Sequence, residues 1–237
     1  GNIPVHAFNL ISPTFFANSS TGNKYSLWVN VYGVSERYLN VYGEKDLRAQ
    51  MNQFFHRTYT HPVDGTTLDM KMLCNWYWYD ETAILETGKG TKDWNFYRYA
   101  ETLLSAAEAI AQSSGVNAEA AGYLAQVKAR ANMEGKDAST IASELQRLGK
   151  QAFIEECWKE RLREFPLEMK IWDDCVRTGK FPQISATNKG EVQFVDLIGA
   201  KNGSGATFKA TDLYWPIPVN EIQRNPNLTQ NEGYSAK

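Results

Sequence analysis

Seven tryptophans and twelve tyrosines in a chain of 237 residues make aromatic stacking, not nucleophilic or metal chemistry, the first activity to consider. Flat rings cover the apolar C–H faces of sugars at small entropic cost, because only two torsions are fixed on binding. Amides beside the rings can orient the sugar hydroxyls. Trp158 and Trp172 fall on a helical stripe, Trp94 opens a helix, and Trp215 sits between a tyrosine and a proline. The rings left for a platform are Trp28, Trp76 and Trp78, with Tyr25, Tyr77 and Tyr79 as nearest partners and Asn23, Asn30 and Asn75 as polar neighbours. Trp28 and Tyr25 lie in polar, irregular chain of the kind that carries binding residues, so Trp28 ranks first and Trp78 second. In Cys74 to Glu81, CNWYWYDE, Trp76 and Trp78 alternate with Tyr77 and Tyr79 at the period of a strand. Such a strand is either buried on both faces or leaves one face open as a stacking surface.

Catalytic constellations are poor. His6, His56 and His61 sit in irregular chain and read as surface histidines, and neither HExxH nor GxSxG occurs. The carboxylate pairs Asp80-Glu81 and Asp173-Asp174 are adjacent in sequence. Neighbouring side chains on a helix or strand point apart, which is wrong for the facing carboxylates of a glycosidase. Cys74, Cys157 and Cys175 are odd in number without CxxC spacing, so they read as buried small hydrophobes, not as a disulfide framework or a zinc site. Gly203-Ser204-Gly205 lacks the Lys-Ser/Thr pair of a phosphate loop. No catalytic residue, metal ligand or cofactor site is therefore expected. A formal charge of −2 gives no electrostatic reason to expect nucleic acid or an anionic membrane as partner. No apolar run approaches the roughly 20 residues of a membrane span, and no signal peptide opens the chain.

These residues must be held by helices. Gln151 to Lys180 places Ile154, Trp158, Leu162, Phe165, Met169 and Trp172 on one apolar stripe. Pro166 removes an amide bond and pushes Phe165 out of the helical region, so two rods should meet there. Residues 93 to 111 form the clearest helix, with Asp93 as N-cap and Phe96, Ala100, Leu103, Ala107 and Ile110 facing inward. Asn117 caps a partner helix facing through Ala120, Leu124, Val127 and Ala131. The expected architecture is mainly α: antiparallel pairs of tetratricopeptide type, with helices 93 to 111, 117 to 132 and 140 to 178 as neighbours. Residues 1 to 92 read as a loop-rich, aromatic-rich segment and 93 to 237 as the helical region, together one continuous domain. Val192 to Leu197 alternates and Asn202-Gly203 is a turn signal, predicting a small β-hairpin. Burial of Trp172 on the stripe predicts a loss of about 3–5 kcal/mol for Trp172→Ala. Glu160, Arg161, Arg163 and Glu164 are expected to form a charge network between helices.

Three segments, in order, carry a family resemblance. FYRYAETLLSAAEAIAQSSG, followed by AAGYLAQVKARAN, is similar to the R-Y-A-E-x-L-L segment of the SusD/RagB family. ERLREF with Trp172-Asp173-Asp174 and Arg177-Thr178-Gly179-Lys180 resembles its ERRRE signature, and LYWPIPVNEIQRNPNLTQNEGY its closing L-x-P-I-P segment, with Glu232 where Pro is common. Asp46-Leu47-Arg48 resembles its D-P-R element, with Leu for Pro. The resemblance implies a surface glycan-binding lipoprotein of Bacteroidetes-type bacteria, passing oligosaccharide to a SusC-like TonB-dependent outer-membrane transporter. It also implies that the chain is the C-terminal portion of a protein about twice as long, touching the membrane only through a lipid anchor upstream. A tetratricopeptide-like scaffold with protein ligands alone is the competing reading, and an enzyme the third.

Overall fold

The computed structural model describes residues 34–63, 65–77, 79–82, 93, 95–166 and 168–235. The described residues divide into two compact units: those from 34 to 168 with 184–192, and 169–183 with 193–235. The first is organised by helices α1 (Tyr99–Ser114), α2 (Ala118–Arg130), α3 (Ala138–Leu145) and α4 (Lys150–Glu164). Alanines at 100, 107, 111, 120, 121 and 125 let α1 and α2 approach closely around Leu103, Leu104 and Leu124. Ile141, Leu145, Phe153, Ile154, Cys157 and Phe165 complete that core. Asn117 caps α2 as expected, its side chain accepting from the Ala120 amide at 2.9 Å.

Two expectations about these helices need correction. First, α1 begins at Tyr99, not Asp93, and Phe96 is exposed instead of facing the core. Arg98 is extended, and its side chain is drawn to carboxylates across the fold, which sets the helix start. Second, residues 140 to 178 are three helices: the expected interruption at Pro166 separates α4 from the helix α5 (Ile171–Thr178), which belongs to the second unit, and an unexpected one before Gly149 separates α3 from α4. Met169 sits at φ 61° and is exposed, so the stripe ends at Phe165.

The last turn of α4 is buried on every side, from Glu160 through Glu164. A helix end leaves its final carbonyls without partners, and burial there is tolerated only if each finds a donor. Here the Arg161 carbonyl takes the Phe165 amide (3.0 Å), Leu162 the Tyr38 hydroxyl (2.6 Å), Arg163 the Tyr42 hydroxyl (2.9 Å) and Glu164 the Arg98 guanidinium (2.9 Å). Tyr38 and Tyr42 flank the end of a 3₁₀ turn, Glu36–Val41.

Strands β1 (Phe55–Thr60) and β2 (Thr67–Asn75) pair antiparallel, Phe55 opposite Asn75 and Thr60 opposite Thr67, with an irregularity between His56 and Thr58. In the second unit α5 leads into β3 (Lys180–Ile184), paired with β4 (Val192–Asp196). The hairpin thus exists, but its turn is 185–191; Asn202-Gly203 instead closes a single bridge between Lys201 and Thr207. Trp172 is 39% exposed and packs against Phe208 at 5.6 Å, correcting its expected full burial. The strap of residues 214–218 leads into helix α6 (Val219–Arg224) and is pinned by Gln230, which bonds both the amide and the carbonyl of Ile217.

Candidate ligand-binding site

The charge network anticipated on α4 is dense and buried. Asp46 accepts from the Arg48 amide and guanidinium, and Arg48 reaches Glu164 at 3.0 Å and Glu160 at 2.9 Å. Glu160 also pairs with Arg163 (3.2 Å) and Lys128 (3.7 Å), and Arg161 with Glu101 (3.1 Å). Burial alone would raise the Glu160 carboxyl, but Arg48, Lys128 and Arg163 overcome it and hold the group well below the carboxylate range.

That network orients Arg98. Its guanidinium donates to both oxygens of Glu168 (2.9 and 2.8 Å) and to Glu164 (3.0 Å), and it lies over Phe165 at 4.9 Å and Tyr77 at 5.8 Å. With Arg98 drawn inward from extended backbone, the adjacent Tyr97 and Tyr99 project outward. Phe96, Tyr97 and Tyr99 are 74%, 79% and 73% exposed. Single exposed rings are unremarkable, but three within four residues around one anchored arginine form a surface. Tyr77 extends it, its hydroxyl receiving the Asn95 amide at 3.4 Å. Spacing alone does not mark these rings, since Phe96 and Tyr99 stand three apart and could share one buried helix face.

Of the residues expected to form the platform, four are described: Asn75, Trp76, Tyr77 and Tyr79. Trp28, Tyr25, Asn23, Asn30 and Trp78 lie outside the described residues. The strand β2 ends at Asn75, so the alternation expected for Trp76 to Tyr79 does not occur. Trp76 is instead parallel to His56 (4.0 Å, 11°) and to Tyr79 (4.6 Å, 14°). His56 and Tyr79 make no ring contact with each other, so they lie on opposite faces of the indole, and Trp76 has no free face to offer. Asn75 is buried, donating to the Pro166 carbonyl (3.1 Å) and accepting from the Tyr77 amide (2.8 Å). Nor are the two described histidines surface groups: His61 is buried, and His56 is half-buried, its basicity lowered by that burial; His6 lies outside the described residues.

A second concavity lies between the Gly43–Asp46 turn, the end of α2, and α3, over a floor of Glu160 and Arg163. Its volume is about 430 Å³. Among the described residues no group of His, Cys, Asp and Glu is placed to hold a metal ion, and no helix is long and apolar enough to cross a membrane. The three cysteines are buried thiols outside any disulfide.

Comparison with known proteins converges on one family. The model of the SusD family matches residues 19–234. Starch-binding protein SusD of Bacteroides thetaiotaomicron is 36% identical over 138 residues, which is 58% of this chain and 21% of that protein. The crystal structure of a SusD superfamily protein from Parabacteroides distasonis ATCC 8503 superposes with a TM-score of 0.74 and 29% identity, over 94% of this chain and 46% of that one. The chain thus spans less than half the length of either protein. With helical pairs of the same architecture, the three motifs in order, and a family match across nearly all of its length, the chain belongs to the SusD family.

Proposed function

We propose that this chain is part of a cell-surface glycan-binding protein that captures oligosaccharide and delivers it to a SusC-like TonB-dependent transporter of the outer membrane, its membrane attachment being a lipid anchor. The observation that carries the reading is the exposed ring surface of Phe96, Tyr97 and Tyr99, bordered by half-buried Tyr77, over which the ion-paired Arg98 guanidinium lies at 5.8 Å. Aromatic rings lose little freedom on meeting a sugar because only two torsions are fixed, and the side-chain amide of Asn95, beside Tyr77, can bond hydroxyls. The starch-binding relative supports a polysaccharide as ligand class. Trp28 and Trp78, with Tyr25, Asn23 and Asn30, are proposed to extend the same function. Binding, not catalysis, is the role.

Affinity electrophoresis against a polysaccharide panel tests this directly. Retardation by at least one glycan, without release of reducing sugar, is the expected result. Mobility unchanged by every polysaccharide would favour the scaffold reading, and reducing sugar released in proportion to protein would favour an enzyme.

A further inference from the structure

We infer that the cleft bordered by the Gly43–Asp46 turn, the end of α2, and α3 is a second binding site, for a small neutral polyhydroxylated molecule such as a mono- or disaccharide. Its size, about 430 Å³, lies within the ~300–1,000 Å³ of small-molecule sites. The character of the ligand follows from the charges. Among the described residues, each charged side chain lining the cleft apart from Lys45 is engaged in an ion pair. Glu134 and Glu144 bracket Lys136 at 3.1 and 2.9 Å on the outer wall, and Glu156 faces Lys128 and Arg163 within. An anion would meet Glu134, Glu144 and Glu156, and a cation would meet Lys45, Lys128 and Lys136. A zwitterion needs an unpaired anion and an unpaired cation side by side, and the lining supplies only Lys45. Ion-paired ammonium and carboxylate groups nevertheless keep spare donors and acceptors. Lys136, Glu134 and Glu144 are each between one-third and one-half exposed, so their spare positions can be reached. Hydroxyl groups, which donate and accept without charge, are the chemistry that matches such a wall.

The cleft is also built to stay open. The Leu47 amide bonds the Ala131 carbonyl (2.8 Å) and the Met133 amide bonds the Lys45 carbonyl (2.9 Å), which staples the turn to the end of α2. Asn132 ties its own loop, donating to the Lys136 carbonyl (3.0 Å) and accepting from the Glu134 amide (2.9 Å). At the rim Gly190, at φ 79°, packs beside Gly43, where a Cβ on Gly190 would make ordinary contact with the Gly43 Cα at 3.5 Å. A preformed polar cavity loses little free energy to ordering when it binds. This inference uses none of the aromatic surface, so the two sites can fail separately.

The test is a ¹⁵N-NMR titration of the chain with D-glucose, D-galactose and maltose, and in parallel with sulfate and with glycine. The inference expects saturable shifts at the Lys45, Asn132 and Lys136 amides with a sugar and none with sulfate or glycine. Gly43→Tyr should weaken those shifts about tenfold or more, since a side chain there meets no protein atom within 4 Å of its Cβ and would occupy the cleft. Lys136→Met, on the exposed wall, is the second variant and should also weaken them. Shifts confined to residues 95–99 would overturn the cleft and leave the glycan-binding reading standing. A tighter response to sulfate or glycine, or sugar shifts indifferent to both variants, would also overturn it.

Discussion

Replacing Glu160 by glutamine removes one charge from the centre of the network while nearly preserving shape. The carboxylate is fully buried and pairs with Arg48 at 2.9 Å, Arg163 at 3.2 Å and Lys128 at 3.7 Å. Removing one partner of a buried pair costs about 3–5 kcal/mol. Each cation here keeps a second carboxylate: Asp46 and Glu164 for Arg48, and Glu156 for both Arg163 and Lys128. The low end, about 3 kcal/mol, is therefore expected. The pH dependence has a definite sign. The group is depressed from its ordinary value of 4.5, so as pH falls the unfolded chain takes up the proton first. The stabilisation is complete above about pH 4.5 and declines below it by up to about 1.4 kcal/mol per pH unit. Urea denaturation followed by circular dichroism, on wild type and Glu160→Gln from pH 7 downward, measures both quantities. The difference should be about 3 kcal/mol at pH 7 and should narrow only below about pH 4.5. A difference under about 1 kcal/mol, as for an exposed pair, or one that is constant with pH, would refute the reasoning.

Other outcomes follow from particular contacts. Trp172→Ala should cost about 1–2 kcal/mol, less than the ~3–5 of a buried tryptophan, because the ring is partly exposed against Phe208; a full-sized loss in thermal melts would contradict that placement. The thiols should resist alkylation at pH 8 until the protein unfolds, since burial pushes Cys74 up to about 12 and Cys175 up to about 11; labelling of native protein at the free-thiol rate would count against it. Gly233→Ala should destabilise the second unit by more than about 1 kcal/mol, since Gly233 lies at φ 83° and its Cβ would fall 2.1 Å from the Thr211 methyl. Near-ultraviolet dichroism of that variant unchanged from wild type would argue otherwise.

Much of the fold was legible because it rests on local rules. The Asn117 cap, the alanine faces of α1 and α2, the break at Pro166 and the α4 charge network all follow from spacing and side-chain chemistry. What was not legible depends on distant partners. Asp93 looks like a cap, but the helix begins only where Arg98 is seized by Glu164 and Glu168, residues some seventy positions away. Periodicity made Trp76 part of an alternating strand, whereas β1–β2 pairing brings His56 beside it and leaves no free face. Exposure of Tyr97 and Tyr99 follows from the same arginine, so the ring surface could not be read from spacing alone.

Calorimetric titration of a cognate glycan into wild type, Tyr97→Ala, Tyr99→Ala, Trp28→Ala and Trp78→Ala tests the central claim most directly. The account predicts that Tyr97→Ala or Tyr99→Ala loses about 2 kcal/mol of binding, roughly thirtyfold in affinity, with the melting temperature unchanged. Wild-type affinity in both tyrosine variants would contradict it. In that event, a loss confined to Trp28→Ala or Trp78→Ala would move the platform to those rings.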